Sequence, residues 1–169
     1  MVSLASRAIE QRPTEAEYPG LKVLAVIDGT ERTGRIVGCA LRLGSRSLGL
    51  QVVVLGVVPE PDTGRLRGYG SFKQAEIYGK LIDTMRQRVV AAVARRLDQE
   101  KIAHVDRVEV GDPVATILSV AQAEDADLIL IGGGPPGMVQ RLLSAIGLSV
   151  ATVASRVVQL ATVPVVVVK

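Results

Sequence analysis

Residues 22–30 read Lys22-Val23-Leu24-Ala25-Val26-Ile27-Asp28-Gly29-Thr30. Val23 to Ile27 is an unbroken apolar run rich in β-branched residues. Such a run lacks the polar alternation of a half-exposed strand and reads as a strand covered on both faces. Asp28-Gly29-Thr30 then interrupts it with three turn-forming residues, of which Asp28 or Thr30 can cap a following helix. From Thr33 to Leu43 the apolar residues recur at Ile36, Val37, Ala40 and Leu41, the spacing of one helical face. Strand, tight turn and amphipathic helix make half of a βαβ unit.

The same unit repeats along the chain. Val52–Val58, Leu128–Ile131 and Val163–Val168 are three more apolar runs, and Val105–Val110 is a weaker, alternating one. The alternation marks Val105–Val110 as a more exposed edge strand. Between the second and third strands, a segment from about Phe72 to Gln99 places Ile77, Leu81, Met85, Val89, Ala92, Val93 and Leu97 on one expected helical face. Asp112-Pro113 is a helix start, since Asp caps free N–H groups and Pro suits the first helical position. The helix it opens runs through Ile117, Leu118 and Ala121. Val150, Val153, Ala154, Val157, Val158 and Ala161 carry the amphipathic spacing of a last helix. Strict alternation of strands and helices implies a parallel sheet with right-handed crossovers and helices on both faces.

Composition narrows the function classes. The chain has 169 residues, 48% of them apolar and only 2% aromatic, so the core must be built from Val, Leu, Ile and Ala. Scarce aromatics argue against single-stranded nucleic-acid binding, which depends on base stacking. The formal charge of +3 comes from scattered basic residues, not from a basic tail. No apolar run approaches the length of a membrane span. Residues 1–20 lack the apolar segment of a secretory signal and read as a flexible arm, leaving residues 21–169 as one domain. The single cysteine, Cys39, forms no internal disulfide, which fits a reducing, cytoplasmic compartment. It sits among Val37, Ala40 and Leu41 and reads as a buried, inert thiol. The single histidine, His104, stands at a strand start away from the carboxyl rim and reads as structural or exposed. One histidine at the wrong end excludes a Ser–His–Asp or Cys–His site. No cluster has metal-ligand spacing.

In open α/β sheets, ligands bind beyond the carboxyl ends of the strands, where the strand order reverses. Three segments reach that rim: Asp28-Gly29-Thr30, Val57-Val58-Pro59 and the glycine-rich Gly132-Gly133-Gly134-Pro135-Pro136-Gly137. With these in view, the chain resembles the universal stress protein family from about Lys22 to Lys169. The opening strand with Asp28-Gly29-Thr30 is similar to the family's first strand and its Val-Asp-Gly-Ser ending. Gly111-Asp112-Pro113, Ala126-Asp127-Leu128-Ile129 and Pro164–Val168 match its Gly-Asp-Pro helix start, its Ala-Asp-Leu-Ile strand and its closing strand. The combined reading is a three-layer α/β sandwich with a five-stranded parallel sheet in the order 3-2-1-4-5.

The resemblance implies an adenine nucleotide, ATP or AMP, with Mg2+ accompanying ATP. It implies Asp28 near the ribose or adenine, Val26 lining the adenine pocket, and Val57 offering backbone groups to the adenine edge. The family's nucleotide-binding branch carries Gly-x2-Gly-x9-Gly-Ser/Thr, in which glycines let backbone N–H groups reach phosphate oxygens. Gly134, Gly137 and Gly147 reproduce that spacing, but Leu148 replaces the hydroxyl residue and Ser149 follows it. Pro135 and Pro136 offer no N–H donors. Counting back from Pro164 instead, Ala151-Thr152-Val153 stands where the family has Gly-Ser-Val. The expected phosphate ligands are therefore Gly134, Gly137, Gly147 and Ser149, with Thr152 as the alternative hydroxyl.

Blander readings stand beside these. Asp28-Gly29 also serves as a strand-to-helix turn, the glycine run also turns the chain after a strand, and Ser149 and Thr152 also serve as helix caps. The expected function is a non-enzymatic, nucleotide-binding regulatory protein in which slow ATP hydrolysis stays open. The alternatives are a dimeric interaction module of the same family that has lost nucleotide binding, and a sensor of a cyclic or signalling nucleotide. The resemblance further implies a homodimer paired through Val165–Val168.

Overall fold

The computed structural model describes residues 20–45, 49–59, 71–133 and 152–169. In chain order the elements are β1 (Lys22–Ile27), α1 (Glu31–Gly44), β2 (Gln51–Val58), α2 (Ser71–Thr84), a π-helical turn (Met85–Val90), α3 (Ala91–Gln99), β3 (Ala103–Val110), α4 (Pro113–Ala123), β4 (Leu128–Gly132), α5 (Val153–Leu160) and β5 (Val165–Val168). The five strands form one sheet in the order β3-β2-β1-β4-β5, and every pairing is parallel. This is the expected sandwich. β3 is an edge strand and largely unburied, as its alternation requires.

The reversal of strand order lies between β1 and β4, because the chain leaves β1 toward β2 and returns to β1's other side only after β3. A two-point clamp holds this junction at its amino end. The Lys22 N–H donates to the Asp127 carboxylate (2.8 Å), and the Asp127 N–H donates to the Lys22 carbonyl (2.8 Å). Asp127 therefore sets the register that pairs Val23 with Leu128 and Val26 with Ile131.

Successive strand residues point to opposite faces, so the apolar runs supply two half-cores. On one face Val23, Ala25, Ile27, Val52, Val54 and Leu130 pack with Ile36, Val37 and Ala40 of α1 and with Val90, Val93 and Leu97. On the other, Leu24, Val53, Leu55, Ile129 and Ile131 pack with Val114, Ile117 and Val120 of α4 and Val157 of α5. α4 begins as its sequence requires. The Asp112 carboxylate accepts the Ala115 N–H (2.8 Å), with Pro113 in the first helical turn.

Three expectations change in detail. The Phe72–Gln99 segment is not one α-helix, since the π-helical turn Met85–Val90 divides it, and Leu81 stands 48% exposed. α5 starts at Val153, and only Val157 on it is buried. Val153 and Val158 are exposed because no described element covers that side of the helix. Cys39 is partly exposed, packed against the α1 face of the core and not enclosed in it.

Candidate functional site

The turn after β1 is built by a closed set of hydrogen bonds. Gly29 adopts a positive φ of 75° and turns the chain out of the sheet. The N–H of Thr30 donates to Asp28 Oδ1 (3.0 Å), and the Thr30 hydroxyl donates to the same oxygen (2.6 Å). The Thr33 hydroxyl accepts the Gly29 N–H (3.0 Å) and donates to Asp28 Oδ1 (3.3 Å). Thr30 is the N-cap of α1 and accepts from the Arg32 N–H (3.3 Å). Asp28 Oδ2 meets the Arg32 guanidinium at 2.9 Å. Short polar side chains after a strand favour such local turns over a continued ladder.

Burial alone would raise the Asp28 carboxyl. The Thr30 hydroxyl and N–H, the Arg32 charge and the Thr33 hydroxyl outweigh burial and hold it below the ordinary carboxylate value of 3.8. A depressed carboxyl stabilises the fold above its unfolded value, and that contribution disappears as pH falls through the folded value. The stability difference between the parent and Asp28→Asn is therefore expected to hold steady from neutral pH down to about pH 4 and to shrink below it. Urea unfolding across a pH series checks this. A difference that grows toward acid would contradict the network.

The carboxyl rim around this turn is crowded by design. A Cβ added at Gly29 would stand 2.9 Å from Val89 Cγ2, and one added at Gly56 would stand 2.7 Å from Met85 Cγ. The ends of β1 and β2 therefore both rest on the π-helical turn. At the end of β4, Gly132 lies against the stem of Arg32, and Gly133 donates its N–H to the Val168 carbonyl (2.8 Å), with Val167 Cγ1 leaving no room for a Cβ there.

The predicted site residues fall as follows. Val26 and Val57 are half-buried toward the carboxyl ends of β1 and β2, on the face that carries α4 and α5. Asp28 follows β1 directly. Thr152 is the N-cap of α5, its hydroxyl accepting the Ser155 N–H (3.1 Å) and donating to the Ser155 hydroxyl (3.2 Å). α5 feeds parallel β5, so its N-terminus lies at the same rim as the ends of β1 and β4. Gly134, Gly137, Gly147 and Ser149 lie outside the described residues. Arg32 and Thr33 are site residues that the sequence reading passes over. The available signal is the spacing of Asp28 and Arg32, an acid four residues before a base across a helix start.

Away from the rim, His104 is 14% exposed in its side chain and its Nδ1 lies 3.2 Å from the Ile102 carbonyl. Asp98 and Asp106 flank its ring at 3.9 Å. Burial pushes the Asp106 carboxyl up and Asp98 adds to this, while His104 draws it back. His104 stands at the start of β3, at the amino end of the sheet. No group of His, Cys, Asp and Glu among the described residues is arranged to hold a metal ion.

An open parallel sheet in the order β3-β2-β1-β4-β5, with helices packed on both faces, defines a doubly wound α/β protein. The family model of the universal stress proteins matches residues 21–169, and the chain belongs to that family. Solved structures share the fold. The universal stress protein UspA from Lactobacillus plantarum superposes with a TM-score of 0.66 at 19% identity, covering 90% of this chain and 99% of that one. A universal stress protein from Archaeoglobus fulgidus in complex with dAMP gives 0.57 at 19% identity over 88% and 98%. A universal stress protein in complex with cAMP gives 0.57 at 17% identity over 89% and 98%. Curated protein sequences give no significant match.

Proposed function

We propose that the chain is a regulatory protein that binds an adenine nucleotide, ATP or AMP, at the carboxyl rim between β1 and β4. The observation that carries this is the Asp28 turn, which sets an ionised carboxylate beside the point where the strand order reverses. Ligands of open α/β sheets bind at that point, and relatives of the same fold are solved with dAMP and with cAMP. In this reading Asp28 faces the sugar or base and Val26 lines the adenine pocket. Val57 supplies backbone groups to the adenine edge. Gly134, Gly137, Gly147 and Ser149 hold phosphates, with Thr152 as the alternative hydroxyl and Mg2+ entering with ATP. The protein acts in the cytoplasm by binding, not by turnover. It pairs as a homodimer through Val165–Val168, where β5 forms a sheet edge with Val166 40% exposed.

Calorimetry with ATP, AMP and cyclic AMP tests the site. Binding is expected in the parent and weakened in Asp28→Ala and Gly137→Val. Absence of heat with all three at millimolar concentration would remove the nucleotide reading.

The second reading is a dimeric interaction module without a nucleotide. It is favoured by Leu148 in the hydroxyl position and by the Thr152 hydroxyl being engaged as a helix cap. Light scattering tests the dimer that both readings require, and calorimetry separates them, since only the first requires a ligand.

A further inference from the structure

Among the described residues, Arg32 is the one cation paired with the Asp28 carboxylate, and its stem is seated against the sheet. Its stem lies across the end of β4, so that a Cβ built on Gly132 would stand 3.0 Å from Arg32 Cβ and 3.1 Å from Cδ. Its head is held twice. Nη2 meets Asp28 Oδ2 at 2.9 Å, and Nε donates to the Thr30 hydroxyl at 3.1 Å. Gly132 thus provides the seat, and Asp28 and Thr30 fix the guanidinium over the junction of β1 and β4. The side chain remains 38% exposed, so it is seated but not enclosed.

The electrostatic consequence is direct. A nucleotide at this junction brings phosphate charge toward Asp28, and a bare carboxylate would repel it. A guanidinium fixed against that carboxylate removes the repulsion and offers further N–H groups suited to phosphate oxygens. We infer that Arg32 is a specificity-determining residue of the rim site, selecting phosphorylated over unphosphorylated adenine ligands. This rests on the adenine-nucleotide reading above and adds to it the residue that sets the preference for charge.

The test compares adenosine with AMP by calorimetry on the full chain, in the parent, Arg32→Gln and Arg32→Lys. Loss of a charge-assisted bond to phosphate is expected to shrink the advantage of AMP over adenosine by about ten-fold or more in Arg32→Gln. Adenosine affinity should fall by a smaller factor than AMP affinity, since Arg32 also holds Asp28, and Arg32→Lys should restore part of the advantage. A purely structural Arg32 would weaken both ligands by the same factor. That result, or an unchanged ratio in Arg32→Gln, overturns the inference while leaving nucleotide binding intact. A parent protein that binds neither adenosine nor AMP overturns both.

Discussion

Leu24→Ala is expected to lower the unfolding free energy by about 2–5 kcal/mol. Leu24 sits in the central strand with no exposure, paired in register with Val53 on one side and Ile129 on the other. Its side chain enters the half-core closed by α4 and α5. Truncation removes apolar contact and leaves a cavity with sheet neighbours on two sides, where collapse is resisted by the strand ladder. Domain stabilities are about 5–15 kcal/mol, so this one change consumes a large share. The measurement is urea unfolding, with a lower midpoint and an unchanged slope. Leu160→Ala provides the contrast. Leu160 is 56% exposed at the end of α5, and its truncation is expected to stay within about 0.5 kcal/mol. Equal losses at the two positions would refute the two-face core.

Gly29→Val is expected to cost about 2 kcal/mol or more, from two independent sources. The backbone there has φ of 75°, a conformation that a β-branched residue strongly disfavours. The added Cβ would also meet Val89 Cγ2 at 2.9 Å, and Val89 is partly buried against the core. The sources separate in a double-mutant cycle. Val89→Ala in the Gly29→Val background relieves the contact but not the backbone strain, so it should recover only part of the loss. Full recovery would show that the positive φ carries no cost. Because Gly29 orients the Thr30 N–H that donates to Asp28, the same variant is expected to weaken any ligand held by that carboxylate.

The strands and the start of α4 are legible because each depends on local pattern, whereas the strand order follows from the resemblance to the family. Val23–Ile27 and Leu128–Ile131 are continuous apolar runs that only a doubly covered strand uses. Asp112-Pro113 names its own helix start, and Thr152 is a residue type that caps a helix. The face of the Phe72–Gln99 segment was misjudged for a physical reason. Its apolar residues recur mostly every four positions, and on an ideal α-helix each such step overshoots a full turn by about 40°. A stripe drawn through them drifts around the helix, which leaves Leu81 half exposed while Leu97 is fully buried. The wider π-helical turn takes up part of the overshoot, and no propensity announces it. Arg32 was missed because its role depends on β4 lying beside β1. Gly132 is a hundred residues further on, and only the fold brings the two together. The same holds for Asp127 on Lys22.

The π-helical turn has one further consequence, for tolerance of length change. Removing one residue from Met85–Val90 would let the backbone return to ordinary α-helical bonding, so the local hydrogen-bond ladder would improve. A π-helical turn winds each residue through a smaller angle than the α-helix does, because its hydrogen bonds reach five residues along and not four. Its six residues therefore sweep about the same angle as five α-helical ones, and the flanking helices would keep their faces: Val93 and Leu97 would still meet the sheet. The loss would fall inside the turn, on Met85 beneath Gly56 and Val89 beside Gly29. The segment therefore behaves as an absorbed insertion, and a shortened variant is expected to keep the fold while loosening its grip on the ends of β1 and β2.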